Sequence, residues 1–257
     1  MSAAADPYDP ASVRAALAGA PLHASVEVHE EIGSTQDRAA LLARAGAPEG
    51  TLVVAAAQTR GRGRRGRTFA SPPGGVYLSL VLRPPEAALR GLPLTMPAAL
   101  AAALALERAT GQAVRCALKW PNDVLIGRRK AGGVLADVER DGAVVLGVGL
   151  DLNVPVEAFP EDLRAVATSC LAETGRRFER RTVLRAFLEA LALRYRGDAR
   201  ALAAELAQRS AVLGRRVRLP DGSIARPLGL GDRGELRVER PDGRVEALLS
   251  GPIEIVW

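Results

Sequence analysis

Two stretches of this chain concentrate residues able to grip anions. "QTRGRGRRGRTF" at 58–69 carries five arginines and three glycines behind Gln58, and "KWPNDVLIGRRK" at 119–130 holds both lysines of the protein, Lys119 and Lys130. Arginine offers a planar, permanently charged fork to carboxylate and phosphate oxygens, and glycine lets backbone approach a ligand closely. A lysine kept where arginine is used almost everywhere else is a candidate for a role arginine cannot fill. The chemistry these residues favour is electrostatic stabilisation of a phosphate-centred transition state. Asn122 and Asp123 follow Pro121 at the mouth of a strand, a position suited to a nucleotide, with Asp123 near its Mg²⁺. Taken singly these signals are weak. A basic run is as well explained by a solvated loop, and Asn-Asp alone reads as a turn.

Composition removes several other classes. The chain has 257 residues, a net charge of +6 and a sequence pI near 10.1. Of its 35 basic residues all but two are arginine, spread along the whole length. That is a compositional bias, so net charge says little about partners, and a retained lysine becomes informative. The arginine loop lacks the Gly-Lys-Ser/Thr ending of a P-loop, and no helical pattern follows it as in a dinucleotide fold. There is no Ser-His-Asp pattern, no H-E-x-x-H and no Cys/His metal spacing. His23 and His29 sit near the first strand and read as sheet-edge residues. Cys116 and Cys170, far apart, read as buried small hydrophobes in a reducing cytoplasm, with a catalytic thiol at Cys116 the poorer reading. No apolar run reaches the roughly 18–20 residues of a membrane span, and the N-terminus lacks a signal-peptide pattern. A nucleic-acid module is disfavoured because aromatics make up only 4% and do not interleave with the arginines.

The elements that must position these residues follow from periodicity and turn chemistry. A strand is expected at 24–32, then a helix opened by Ser34 with Asp37 as a capping box and closed near Gly46. "TLVVAAAQ" is a buried strand delivering Gln58 to the arginine loop, and "GVYLSLVLRP" is an alternating strand. A helix at 93–109 ends near Gly111, strands flank Pro121, and 124–152 reads as an antiparallel meander. Helices resume near 180. From about 211 short strands alternate with "PDG" and "GDRG" turns, the texture of a barrel-like β module of about 45 residues. The expectation is an α+β domain with a mostly antiparallel sheet and flanking helices over 1–210, and a small β domain over 211–257.

With "STQ" at 34–36, "GRGRRGRTFASPPGGVYLSLVLRP" at 61–84, "KWPNDVLIGRRKAGGVLADV" at 119–138 and "GVGLDLN" at 147–153, the chain resembles the biotin–protein ligases over nearly its whole length. The resemblance implies a class II synthetase-like catalytic domain with an SH3-like C-terminal barrel. It implies that biotin and MgATP give biotinyl-5′-AMP, whose acyl group passes to a lysine of a biotin carboxyl carrier protein, with no tightly bound organic cofactor. By position, Ser34, Thr35, Gln36, Gln58, Gly61 and Gly132 would surround biotin. Arg62, Gly63 and Arg64 would close over biotin and the adenylate, Arg62 and Arg64 with a catalytic role, and Arg67 would meet the ATP phosphates. Trp120, Asn122, Asp123 and Asn153 would face the nucleotide, Asp123 also its metal. Lys130 would bridge the biotin carboxylate and the α-phosphate. Gln36 and Asp151 stand where the family usually has Asn. Only about 33 residues precede "STQ", so no operator-binding domain, and no DNA or membrane partner, is expected; monomer and sheet-edge homodimer fit equally. A lipoate or octanoate transferase of related fold is the nearest alternative.

Overall fold

The computed structural model describes residues 6, 8–85, 93–195 and 197–257. Part of the N-terminal stretch read for a signal segment therefore lies outside the described residues. The first element is a helix the sequence reading did not anticipate, α1 (Pro10–Leu17). Asp9 caps it, its carboxylate accepting from the amides of Ala11 and Ser12, and Pro10 supplies a preset φ in the first turn.

Seven strands then build one sheet: β1 (Ser25–Ile32), β2 (Thr51–Gln58), β3 (Val76–Leu82), β4 (Cys116–Lys119), β5 (Asp123–Ile126), β6 (Arg129–Val138) and β7 (Val144–Leu150). Their order is β1-β2-β3-β7-β6-β5-β4, with β1–β2 parallel and every other pair antiparallel. β2 and β3 are buried on both faces, so β3 does not show the half-solvated alternation expected of it. One face, carrying Leu52, Val54, Leu78, Leu80, Leu146 and Val148, packs on the helices α3 (Thr95–Ala109) and α5 (Arg180–Tyr195). α3 is nearly all alanine and leucine and is buried almost all round, as befits a helix wedged between sheet and helix. Its buried Glu107 accepts from the Cys116 amide and from Arg209, tying the helix end to β4.

The opposite face is shared. At one end α2 (Thr35–Arg44) lays Ala39, Ala40 and Ala43 on Val53, Val81 and Val145. Ser34 caps α2 by accepting from the Asp37 amide, while the Asp37 carboxylate faces Arg62, so only half of the expected capping box forms. Beyond the start of α2 this face is left open, and the cleft lies there.

Outside the two helical turns at 156–158 and 161–163, the chain adds α4 (Cys170–Thr174), capped by Ser169, and α6 (Ala199–Gln208). The last strands, β8 (Arg216–Arg218), β9 (Ile224–Leu230), β10 (Leu236–Glu239), β11 (Val245–Leu248) and β12 (Glu254–Val256), form a second antiparallel sheet in the order β11-β10-β9-β8-β12. The "PDG" and "GDRG" segments make its turns, as expected. This is the small antiparallel β module expected there; among the described residues its two end strands, β11 and β12, form no pair that closes it into a barrel. It packs on the first through a common core that includes Val217, Leu236, Val238 and Ile253.

Candidate active site

The cleft follows from register. On its face of the sheet, directly opposed residues form a row: Ala55 on β2, Tyr77 on β3, Gly149 on β7, Gly133 on β6, Asp123 on β5 and Lys119 on β4. A second row runs Val53, Ser79, Gly147 and Leu135. Strands lie about 4.8 Å apart, so the first row spans roughly 19 Å from Tyr77 to Lys119. The glycines in mid-row make a trench of about 340 Å³, a size typical of ligand pockets. The space is needed as glycine: a Cβ on Gly147 would lie 2.4 Å from Gln36 Oε1, and one on Gly149 would lie 2.5 Å from the Phe69 ring.

One end of the trench is a closed hydrogen-bond network. Gln58 Oε1 accepts from the Thr35 amide at 2.8 Å and from its hydroxyl at 3.0 Å, and Gln58 Nε2 donates to Ser71. Ser79 donates to Gln36 Oε1 at 3.0 Å and sits 3.0 Å from the Thr35 hydroxyl. Gln36 Nε2 donates to the Val145 carbonyl and to Asp137. The longer side chain of Gln36 thus reaches across the sheet floor to the β6–β7 pair.

The arginine loop folds over the trench as an ordered hairpin. Gln58 pairs with Ser71 and Arg62 with Thr68, and a single helical turn at Arg64–Gly66 forms the tip. Gly61 lies where a Cβ would stand 2.4 Å from the Phe69 carbonyl, so this glycine lets the hairpin close. Three of its arginines are anchored. Arg62 bridges Asp37 and Asp137 at 3.1 and 3.2 Å, and Arg64 donates to Asn122 Oδ1 at 3.1 Å. Arg65 reaches Ser250 of the C-terminal module. Burial, with the neighbouring Arg65 charge, lowers the pKa of the Arg64 guanidinium.

At the far end Lys130 holds Asp123 at 2.6 Å, with its ammonium 5.6 Å from the centre of the Phe69 ring. Asn122 donates to the Val134 carbonyl, locking the turn that carries Asp123. Trp120 is buried and its indole N–H donates to the Gly234 carbonyl, which ties this turn to the C-terminal module; the Trp120–Pro121 peptide is cis. Gly251, Pro252, Ile253 and Glu254 complete the wall.

Of the residues singled out in the sequence, Thr35, Gln36, Gln58, Arg62, Gly63, Arg64, Arg67, Trp120, Asn122, Asp123 and Lys130 line this cleft. Four do not. Ser34 is buried as the α2 cap, and Gly61 is buried inside the hairpin against Phe69 and Ser71. Gly132 faces the core, where a Cβ would meet Leu150 Cδ2 at 2.6 Å; a β-bulge places Gly133, not Gly132, on the face of Lys130. Asn153 exchanges both ends of its amide with the Phe178 backbone. Asp151 is likewise outside the cleft. It is 4% exposed, its Oδ1 has no hydrogen-bond partner among the described residues, and burial pushes its pKa well above the usual carboxylate range against the pull of Lys130. Burial also raises both thiols, Cys170 to about 12, consistent with inert packing roles. Residues the sequence reading missed are Ser79, Phe69, Gly133, Gly147 and Gly149, together with the 251–254 wall. The i, i+2 glycines of "GVG" were the available signal for two of them.

A glycine-floored trench on this sheet, amides at one end and cations at the other, is the architecture of a biotin/lipoate-type ligase domain. The model of the Biotin/lipoate A/B protein ligase family matches residues 29–153. The chain is 36% identical to the bifunctional ligase/repressor BirA of Bacillus subtilis, over 88% of this chain and 73% of that protein. It is 34% identical to the biotin–[acetyl-CoA-carboxylase] ligase of Mycobacterium tuberculosis, over 96% and 95%. The biotin protein ligase of Aquifex aeolicus in complex with biotin and ATP superposes with a TM-score of 0.75 at 28% identity, covering 90% of this chain and 98% of the other. The chain belongs to this family, among its biotin protein ligases.

Proposed function

We propose that the protein activates biotin with MgATP to biotinyl-5′-AMP and transfers the biotinyl group to a lysine of a biotin carboxyl carrier protein. The observation that carries the choice of acid is the network of Thr35, Gln36, Gln58 and Ser79. The network is joined internally, yet its hydroxyls keep spare lone pairs and Gln58 Nε2 a second hydrogen. A ureido ring has N–H and C=O groups to pair with these, whereas a lipoyl dithiolane has none and only removes their water.

In the first half-reaction a biotin carboxylate oxygen bonds to the α-phosphorus and pyrophosphate leaves. Lys130 bridges the carboxylate and the α-phosphate oxygens with one ammonium, and so lowers the cost of bringing two anions together; its position in the cleft lining supports this role. Arg64 and Arg62 hold the glycine hairpin over the product and keep water from the mixed anhydride. Arg67 faces the ATP phosphates, and Trp120, Asn122 and Asp123 frame the nucleotide. In the second half-reaction the carrier amine attacks the biotinyl carbonyl, an amide forms, and AMP departs. No group of three metal-ligating side chains occurs among the described residues. A magnesium carried on ATP phosphates keeps several waters and needs only one or two carboxylates, which Asp123 fits. We read 1–210 as the catalytic domain, 211–257 as a β module that completes one wall, and the cytoplasm as the compartment. No helix among the described residues is long and apolar enough to cross a membrane.

The test is mass spectrometry of a purified carrier domain incubated with the protein, MgATP and either biotin or lipoate. A mass increase with biotin is expected; modification by lipoate alone would refute the assignment.

A further inference from the structure

The cleft cations are not equally occupied. The side chains of Arg62, Arg64, Arg65 and Lys130 each have a partner, whereas those of Arg67 and Lys119 have no hydrogen bond or ion pair among the described residues. Arg67 is on the hairpin; Lys119 is across the cleft on β4, at the end of the cross-sheet row. Lys119 stands directly opposite Asp123, so both side chains rise from the same face about 5 Å apart at Cβ. Yet Asp123 has given its carboxylate to Lys130. The other acid on this wall, Glu254, lies 3.9 Å from Arg218.

A lysine at a sheet edge often serves only to discourage strand pairing. That role is not needed here. The outer edge of β4 is already covered: the Leu118 amide donates to the Arg209 carbonyl, and the Ala211 amide donates to the Leu118 carbonyl. The lysine is also unusual for this chain, which uses arginine at all but two of its basic positions. The other lysine, Lys130, flanks the same aspartate from the opposite side. A half-exposed, unpaired ammonium on the wall of a cleft, about 10 Å beyond Gly133 along the row, is a place for an anion to arrive.

We propose that Lys119 binds the β- and γ-phosphates of ATP, and the pyrophosphate they become, opposite Arg67. Lys130 then serves the carboxylate and α-phosphate while Lys119 neutralises the leaving group, with Asp123 between them. In the reaction the bond from the α-phosphorus to the bridging oxygen breaks, its electron pair leaves with pyrophosphate, and Lys119 stabilises that charge without accepting a proton. This assignment rests on the adenylate-forming reading above.

The experiment is biotin-dependent exchange of labelled pyrophosphate into ATP, on the full chain, for wild type, Lys119→Met and Lys119→Arg. For Lys119→Met the KM values for ATP and for pyrophosphate should both rise about tenfold, the effect of losing one charged hydrogen bond. Biotin binding measured calorimetrically without ATP should not change, which also shows that the variant is folded. Lys119→Arg should recover most of the loss, because the charge is retained. Unchanged KM values for ATP and pyrophosphate in Lys119→Met would overturn the assignment. So would normal exchange with slow transfer from preformed biotinyl-AMP to the carrier, which would place Lys119 at the carrier interface. If wild type itself shows no biotin-dependent exchange, the ligase reading fails separately. Direct ATP titration of the two proteins then decides the role of Lys119, equal affinities counting against it.

Discussion

The two ends of the trench are built on opposite principles. At the amide end Thr35, Gln36, Gln58 and Ser79 already satisfy one another, so their geometry is fixed before any ligand arrives. At the cationic end Lys130 is held by an aspartate, and the side chains of Lys119 and Arg67 have no partner among the described residues. The closed end suits recognition of a neutral polar ring, where misplacement of a donor leaves it unpaired. The open end suits a multiply charged ligand that supplies its own counter-charges as it docks. On the proposed reading, specificity for the acid and catalysis on the phosphate fall to separate residues of one cleft, and the two should be separable by mutation.

Removing the cation to which catalysis is assigned in the proposed function should have the largest effect. Lys130→Ala is expected to reduce biotin-dependent pyrophosphate release on the order of 10²–10³-fold. Its melting temperature should stay near wild type, because the side chain is not in the core. Near-normal release would remove the distinction between the two ends. Next is Gly147→Ala, whose new methyl would press on Gln36 Oε1 at the amide end. Overpacking of this kind costs about 1–3 kcal/mol, so the KM for biotin should rise about tenfold or more while the KM for ATP stays put. A matching rise for ATP would show that the two ends are coupled.

Arg64→Gly should act on retention of the adenylate and leave its formation measurable. Activated biotin should escape and label bystander proteins, and a variant that retains the intermediate as long as wild type would contradict the closing role of the loop. The smallest expected effect is on stability. Asp151 has a raised pKa in the folded state, so the fold binds a proton that the unfolded chain releases near pH 4. The native state is therefore penalised increasingly as pH rises above about 4, until the folded pKa is passed. Asp151→Asn should raise the melting temperature at pH 8, with a gain that shrinks toward zero as pH falls below about 4. A gain independent of pH would show that the buried carboxyl is not the cause.

The sequence made the ingredients of the site legible, and much of the frame. The arginine loop, the Lys130 segment and the Gln58 strand were read as site elements, and each lines the cleft. The missed residues share a physical cause, which is that facing depends on register. A one-residue bulge between β5 and β6 decides that Gly133 rather than Gly132 shares a face with Lys130, and no count along the chain reveals a bulge. The contribution of 251–254 was hidden for a similar reason, because packing between two sheets leaves no periodic trace. The helix at 10–17 was readable from Asp9-Pro10 and was overlooked. At the C-terminus the turn signals marked the hairpins of the second antiparallel sheet, but turn signals do not fix whether such a sheet closes on itself.

The most direct test of the central claim, that one trench takes biotin at its amide end and ATP phosphate at its cationic end, is native mass spectrometry of the protein after incubation with biotin and MgATP. The account predicts a complex whose added mass is that of biotinyl-5′-AMP, lost in Lys130→Ala while that variant still binds biotin alone. A protein that carries no adenylate under these conditions, or that forms one from lipoate and not from biotin, would contradict it.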